Sequence, residues 1–575
     1  MKPLENKSIR LRSGIVGFLF VLIFAVIGAK AVYIQIYRGP WLSQKAANQY
    51  ERAYVSHGKR GIIYDKGKHP LAVSISVTSV AAYPAKIKDA HRASKILAKT
   101  LNINQKTIKR SLTVDKSFVW IKRHVTPREV KSTKAFSIPG IDFIPEHSRF
   151  YPNKTLAAQA LGFSGIDGNG LEGVEFYYDP QLKGAKDRFR IFRDGLGKGF
   201  AAEKKISTDD SGNHLILTID RTIQFIAESI LEETVDQFSA RSGMVVIMVP
   251  QTGAILALAH YPFFNPNAFR DYGRELWRNR VITDPFEPGS TMKIFSAAAA
   301  LESGKIFPDS LFFCENGAYK IGADVIHDSK PRGWLSLHHI IQYSSNIGAV
   351  KLGEKMGPQY LYKTLTNFGF GTKTKIDCPG ETAGSLAHYK RWSKIDIGAI
   401  SFGQGISVSA LQLSTAVSAI ANNGILMKPH IVQTIIDPDG RTLKRFSPKR
   451  VRRVVSTKTA LNVKKMMRSV ITNGTGKQAA VEGYSVCGKT GTAQKIDKNG
   501  TYALEKFTAS FVGFAPAGSP EITIIVIIDE PETQHYGGIV AAPAFKKIAQ
   551  RTLGYLNIPP EGQKSRLLAY KDDEV

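Results

Sequence analysis

The sequence predicts an α+β architecture: one transmembrane helix, an extended N-terminal domain, and a larger domain in which helices pack on an antiparallel sheet. Three observations predict it. An uncharged run, "SGIVGFLFVLIFAVIGA" at 13–29, is long enough to cross a bilayer. Residues 38 to about 205 are lysine-rich and broken by turn signals. Beyond them, apolar strand pairs stand at both ends of a segment that is helical in between. At 575 residues the chain exceeds one ordinary core, so at least two domains beyond the membrane segment are expected. A composition of 43% hydrophobic and 22% charged residues excludes disorder of the bulk.

The membrane element comes first. After Lys30 the apolar character resumes in "AVYIQIY", and a lysine there can snorkel, so the anchor is drawn at 13–37. Lys2, Lys7, Arg10 and Arg12 precede it, which puts a cytoplasmic tail at 1–12 and the rest of the chain outside the cytoplasmic (inner) membrane as a single-pass protein. The competing reading is a cleavable signal peptide ending at "AKA" (29–31), but the apolar stretch exceeds the roughly 7–15 residues of such a core. "ITIIVIID" at 522–529 is too short for a second span and reads as a buried strand.

Next is a non-catalytic domain, 38–205. Turn signals at "IPGID", "YPNK" and "DGNG" punctuate it, with strand-like "LAVSISVTSVAAY" (71–83) and one helix-like stretch, "HRASKILAKTL" (91–101). The domain at 206–558 opens with a strand, "HLILTID", and a helix whose Ile223, Ala227, Ile230, Thr234 and Phe238 form one stripe. "GMVVIMVPQTGAILALAHYP" (243–262) reads as a hairpin buried on both faces, and "FTASFVGFAP" with "EITIIVIIDEP" as a second, so one sheet is closed by its termini. Residues 559–575 are a tail.

A net charge of +30 fits nucleic acid, an anionic membrane surface or an anionic polymer. No nucleic-acid motif accompanies it, and export argues against nucleic acid. Cys314, Cys378 and Cys487 leave at least one thiol unpaired, and one bridge among them is open.

The chemistry sits in three short stretches. In "DPFEPGSTMKIFSAAAAL" (284–301), Ser290 and Lys293 are three apart at the start of a helix, hence on one face. A serine needs a base, and a lysine serves if burial or a neighbouring cation lowers its pKa. Alone this is weak: a second S-x-x-K, Ser56 to Lys59, is coincidence, and a helix start with a solvated lysine explains the first as well. The company changes that. "QYSSNIGAV" supplies Ser344 and Asn346, and "VCGKTGTAQK" supplies Lys489, Thr490, Gly491 and Thr492.

S-x-x-K, S-x-N and K-T-G in this order resemble the signature of penicillin-binding proteins and serine β-lactamases. "KRGIIYDKGKHPLAVS", "RFYP" and "GLEGVE" are similar to segments of the class B pedestal, a dimerisation-like domain, and "SFGQGISVSALQL" and "YGGIVAAPAF" to stretches of its transpeptidase domain. Length and a compact pedestal look most like the division-specific, FtsI-type enzymes, with elongation-type relatives, a penicillin sensor and a scaffold as alternatives.

The resemblance implies a penicillin-binding/serine β-lactamase-like fold and a peptidoglycan D,D-transpeptidase. Ser290 is its nucleophile, Lys293 its base, Ser344 the proton relay and Asn346 the group orienting Lys293. Lys489, Thr490 and Thr492 would hold the substrate carboxylate, with Gly491 leaving room for substrate. Backbone N–H groups of Ser290 and Thr492 would form the oxyanion hole. It implies no cofactor or metal. The expected partners are stem peptides, β-lactams, a SEDS-family glycosyltransferase and other division proteins. Glu287 is expected to be structural.

Overall fold

The computed structural model describes residues 4–42, 45, 52–184, 186–193, 199–200, 211–497 and 499–561; the end of the expected tail lies outside them. The N-terminal helix Leu4–Val32 continues into a π-helical turn, Tyr33–Tyr37, and its Ile9–Tyr37 portion is long and apolar enough to cross a membrane.

The chain forms two compact units, one of residues 1–58, 77–146 and 185–210, the other of 59–76, 147–184 and 211–575. In the first, the end of strand Pro70–Ala82 pairs antiparallel with Val119–Val125. Its core is Val80, Ala82, Leu97, Leu101, Ile108, Leu112 and Val125. Three helices stand where the sequence suggested one: Ala90–Leu101, Gln105–Leu112 and Pro127–Lys134. Each starts on a side-chain cap, from Asp89, Asn104 and Thr126, the last in a reciprocal box with Glu129. Ser56 lies in a strand, Arg52–His57, so three-residue spacing there does not place Lys59 on a shared helical face.

The second unit is built on a five-stranded antiparallel sheet in the order Ile255–Tyr261, Ser242–Met248, Ile522–Asp529, Tyr502–Ala515, Cys487–Ile496. The fully buried strand Ile522–Asp529 joins the two expected hairpins, with Ile524 opposite Ile247. Alternation divides its side chains. Ile524, Val526, Val245 and Ile247 face helices Arg221–Gln237 and Gly537–Tyr555, while Ile525, Ile527, Val246 and Met248 join the core of Ala410–Ala421. Helix Arg221–Gln237 starts on Asp220, which accepts from the N–H groups of Thr222 and Ile223.

The segments 59–76 and 147–184 belong to this unit, and the distant motifs they carry converge on one carboxylate. Glu175 takes Arg60 Nε at 2.6 Å and Arg149 Nε at 2.5 Å, and Arg60 also reaches Asp179 at 2.5 Å. Tyr151 OH donates to Glu175 at 3.2 Å. All three cysteines are buried and unbridged.

Candidate active site

Ser290 sits where a turn hands over to a helix. Gly289, at φ +53°, starts one 3₁₀ turn, Gly289–Met292, which runs into helix Lys293–Glu302. That helix is buried on nearly every face, so the lysine opening it is carried into the interior, and Lys293 is 0% exposed.

Lys293 Nζ lies 3.0 Å from Ser290 Oγ, 2.7 Å from the Ser344 carbonyl oxygen and 2.7 Å from Asn346 Oδ1. The Asn346 amide is fixed in this sense because its Nδ2 donates to the His327 carbonyl at 2.9 Å. A neutral amine has two N–H bonds and one lone pair. The two acceptor-only partners occupy both N–H bonds, so the lone pair is left facing the serine hydroxyl.

Ser344 occupies a break between two helices. At φ +63° it ends Leu337–Tyr343, and Ser345 caps Asn346–Met356 by accepting from the Gly348 N–H. Its hydroxyl stands 2.9 Å from Lys489 Nζ and 3.3 Å from Lys293 Nζ, so the two lysines share it. Lys489, also 0% exposed, further donates to the Thr490 carbonyl at 3.0 Å.

Burial pushes the Lys293 amine down to about 7, with the nearby Asp328 carboxylate pulling the other way. Lys489 is driven well below the ordinary lysine value, by burial first and then by the charge of Lys293. Both effects favour loss of a proton from the pair near neutral pH.

Thr490, Gly491 and Thr492 lie on the edge strand of the sheet. Thr490 Oγ1 is 2.8 Å from Thr475 Oγ1, and Thr492 Oγ1 accepts from the Gly537 N–H at 3.1 Å. A Cβ at Gly491 would overlap Ser510 Oγ and come within 2.9 Å of Thr291 Cγ2, so this glycine lets the strand close on the turn that carries Ser290.

The "SFGQG" loop braces that turn. Gly289 N–H donates to the Gly403 carbonyl at 3.1 Å, and Ser296 Oγ to the Ser401 carbonyl at 2.8 Å. Glu287 ties the same loop to the sheet, accepting from the Gly405 N–H at 2.9 Å and from Tyr502 OH at 3.2 Å.

One residue of the site was not singled out in the sequence. Asp328 accepts from Ser345 Oγ at 2.6 Å, from the Asn346 N–H, and from the Ile347 N–H at 3.0 Å, capping the helix that carries Asn346. A lone aspartate in "VIHDSKPRG" has no motif around it.

A family profile described as the penicillin-binding protein transpeptidase domain matches residues 243–550, and one for the penicillin-binding protein dimerisation domain matches 55–217. The chain is 34% identical to the stage V sporulation protein D of Bacillus subtilis, over 97% of this chain and 87% of that protein. It is 34% identical to the probable peptidoglycan D,D-transpeptidase PenA of Neisseria gonorrhoeae, over 97% and 94%. With the peptidoglycan D,D-transpeptidase FtsI of Escherichia coli the identity is 33%, over 94% and 91%. Penicillin-binding protein 3 of Mycobacterium tuberculosis, solved with aztreonam, superposes with a TM-score of 0.69 at 28% identity, covering 88% of this chain and 98% of that one.

Proposed function

The chain belongs to the class B, FtsI-type penicillin-binding proteins and is a serine-type peptidoglycan D,D-transpeptidase, and from that premise we propose how its residues divide the reaction. Ser290 Oγ attacks the carbonyl carbon of the penultimate D-Ala of a stem peptide, and its proton passes to neutral Lys293 Nζ. As the C–N bond breaks, the proton travels through Ser344 Oγ to the leaving amine, and free D-Ala departs. An amine of a second stem peptide then enters, returns a proton by the same route and takes the acyl group from Ser290, completing the cross-link.

Lys489, Thr490 and Thr492 receive the terminal carboxylate. Backbone N–H groups of Ser290 and Thr492 hold the oxyanion. Supporting the latter, the Thr492 carbonyl lies against Gly289, and in an antiparallel strand the N–H of a residue shares the side of its carbonyl. A β-lactam acylates Ser290 with a leaving group that stays tethered.

The observation that carries this reading is the 3.0 Å approach of a buried lysine amine to Ser290 Oγ, with its two nearest partners, the Ser344 carbonyl and Asn346 Oδ1, both acceptors. Incubation with a labelled penicillin followed by peptide mass spectrometry tests it. A long-lived adduct on Ser290, absent from Ser290→Ala, is expected; an adduct elsewhere, or none on folded protein, overturns it.

The same reading draws a pedestal at 38–205 and a transpeptidase domain at 206–558, outside the cytoplasmic membrane. The basic residues before Ser13 support that orientation. Relatives named FtsI support septal wall synthesis, and we propose a SEDS-family glycosyltransferase as its partner there. A fluorescent fusion should gather at the division site and co-purify with such a partner; an even distribution along the side wall would favour an elongation role instead.

A further inference from the structure

The segment "RTLKRFSPKRVRR", 441–453, holds seven Lys and Arg and no carboxylate. It folds into two short strands, Thr442–Arg445 beside Val432–Ile436 and Arg450–Arg453 beside Ile425–Met427, with every residue of both exposed. Two of its guanidinium groups are pinned by neutral acceptors: Arg452 Nε donates to the Asn367 carbonyl at 2.9 Å and Arg453 Nη1 to the Asn423 carbonyl at 2.7 Å. Among the described residues the only ion pair of this segment is Arg441 with Asp439, exposed and at 4.0 Å. Charges of one sign at this density repel. The fold holds them in place and neutralises few of them: Arg441 pairs with Asp439, and Arg453 faces the Glu302 carboxylate.

Beside the strands lies a cleft of about 50 Å³, between residues 368–374, helix Ala410–Ala421 and residues 426–429. This is several times the ~10–15 Å³ that one water needs, and is room for a tetrahedral oxyanion. Lys373, Lys428, Arg452, Thr372, Gln412 and Thr415 line it. Gln412 is already satisfied, donating to the Thr372 and Ala383 carbonyls. Thr415 is not: it is 4% exposed and its hydroxyl has no partner. A buried hydroxyl without a partner is unfavourable, and an acceptor in the cleft would relieve it.

We propose that this cleft binds a phosphate group, with the Thr415 hydroxyl donating from its floor and Lys373, Lys428 and Arg452 around it, and that the two basic strands extend the grip to a polymer bearing repeated phosphates. Three basic residues lining one small cleft favour a phosphate, which can carry more than one negative charge, over a carboxylate, which carries one. The cations beyond the cleft call for further anions on the same chain. A bilayer fits less well, because Leu443 and Val451 are the only large apolar side chains the two strands expose.

The test uses the full chain in nonionic detergent and labelled inorganic polyphosphate, read by fluorescence polarisation. Lys428→Gln with Arg452→Gln should weaken binding about tenfold or more, and Thr415→Val, which leaves net charge unchanged, also by about tenfold. A charge-matched control on the opposite face of the five-stranded sheet, Lys546→Gln with Arg551→Gln on helix Gly537–Tyr555, should leave it within about twofold, as screened remote surface charges do. The cleft lysine and arginine lie at the surface, so that variant is informative even if Thr415→Val lowers the melting temperature. Equal weakening by the control, or an unchanged affinity in a folded Thr415→Val protein, would overturn the cleft. Tighter association with phosphatidylglycerol than with phosphatidylcholine vesicles, lost in Lys428→Gln with Arg452→Gln, in the absence of polyphosphate binding would overturn it in favour of a lipid surface.

Discussion

Lys293 is fitted to act as a base by where its protons are held as much as by its burial. The Ser344 carbonyl and Asn346 Oδ1, each at 2.7 Å, hold its two N–H bonds, and both positions depend on the helix start that Asp328 caps. Asp328 acts on the amine in a second way, as the one anion that favours its charged form. The charged and titratable groups facing Lys293 are thus Lys489 from the sheet edge and Asp328 from the loop before Leu337. The sign for Asp328→Asn follows. Without the carboxylate the Lys293 cation loses support, its pKa falls further below about 7, and the base is free at lower pH. The acid limb of the acylation rate, measured with a labelled penicillin across pH, should therefore move to lower pH in Asp328→Asn. A purely structural role for Asp328 would lower the rate at every pH and leave the limb in place. The three motifs were legible because each fixes chemistry within a few residues. Asp328 was not, since what makes it part of the site is its fold-dependent reach to a helix start 18 residues away.

At the scale of elements, the turn that carries Ser290 is held by a loop pressed against it. Gly403 has φ +93°, and a Cβ there would overlap the Gly289 carbonyl. Gly304, just past the end of helix Lys293–Glu302, has φ +71° with nothing within 4 Å of its Cβ position. Alanine at either costs about 1–2 kcal/mol for the left-handed backbone. Gly403→Ala should in addition displace Ser290 and cut the acylation rate about tenfold or more, as small misplacements of reacting groups do, whereas Gly304→Ala should lower the melting temperature alone. Equal acylation rates in the two variants would show that the loop does not position the serine. The hairpins that build the sheet were legible from their apolar runs, and their pairing from the position of those runs at the two ends of the domain. The short helices Gln105–Leu112 and Pro127–Lys134 were not, because "QKTIKRSL" offers only Ile108 and Leu112, and "PREVKSTK" only Val130, as apolar positions at helical spacing. Their caps, Asn104 and the Thr126–Glu129 box, were the signal that lay in the sequence unused.

Across the whole molecule, loosely matching motifs far apart in sequence turn out to be one buried charge network. Arg60, Arg149 and Glu175 are at most 5% exposed, and Glu175 is the single carboxylate that both guanidinium groups share. Spacing could not reveal this, since Arg60 and Glu175 stand 115 residues apart. Removing one partner of a buried pair strands the other's charge and costs about 3–5 kcal/mol. Arg60→Ala should fall near the low end of that range, because Arg149 still faces Glu175. Glu175→Gln should cost more, because it leaves two buried cations without their shared anion. Neither should change the penicillin acylation rate of the folded protein, since no hydrogen bond joins the network to Ser290, Lys293 or Lys489 among the described residues. Acid offers a second comparison. Burial pushes the Glu175 carboxyl up, but the two guanidinium groups outweigh it and hold it below its ordinary value. A carboxylate depressed in the folded state contributes stability above its unfolded pKa of ~4.3 and loses it as pH falls through the folded value. Melting temperature followed downward from neutral pH should therefore fall more steeply in the parent than in Glu175→Gln, and the gap between them should narrow; parallel curves would mean that Glu175 is not the ionised centre of the network.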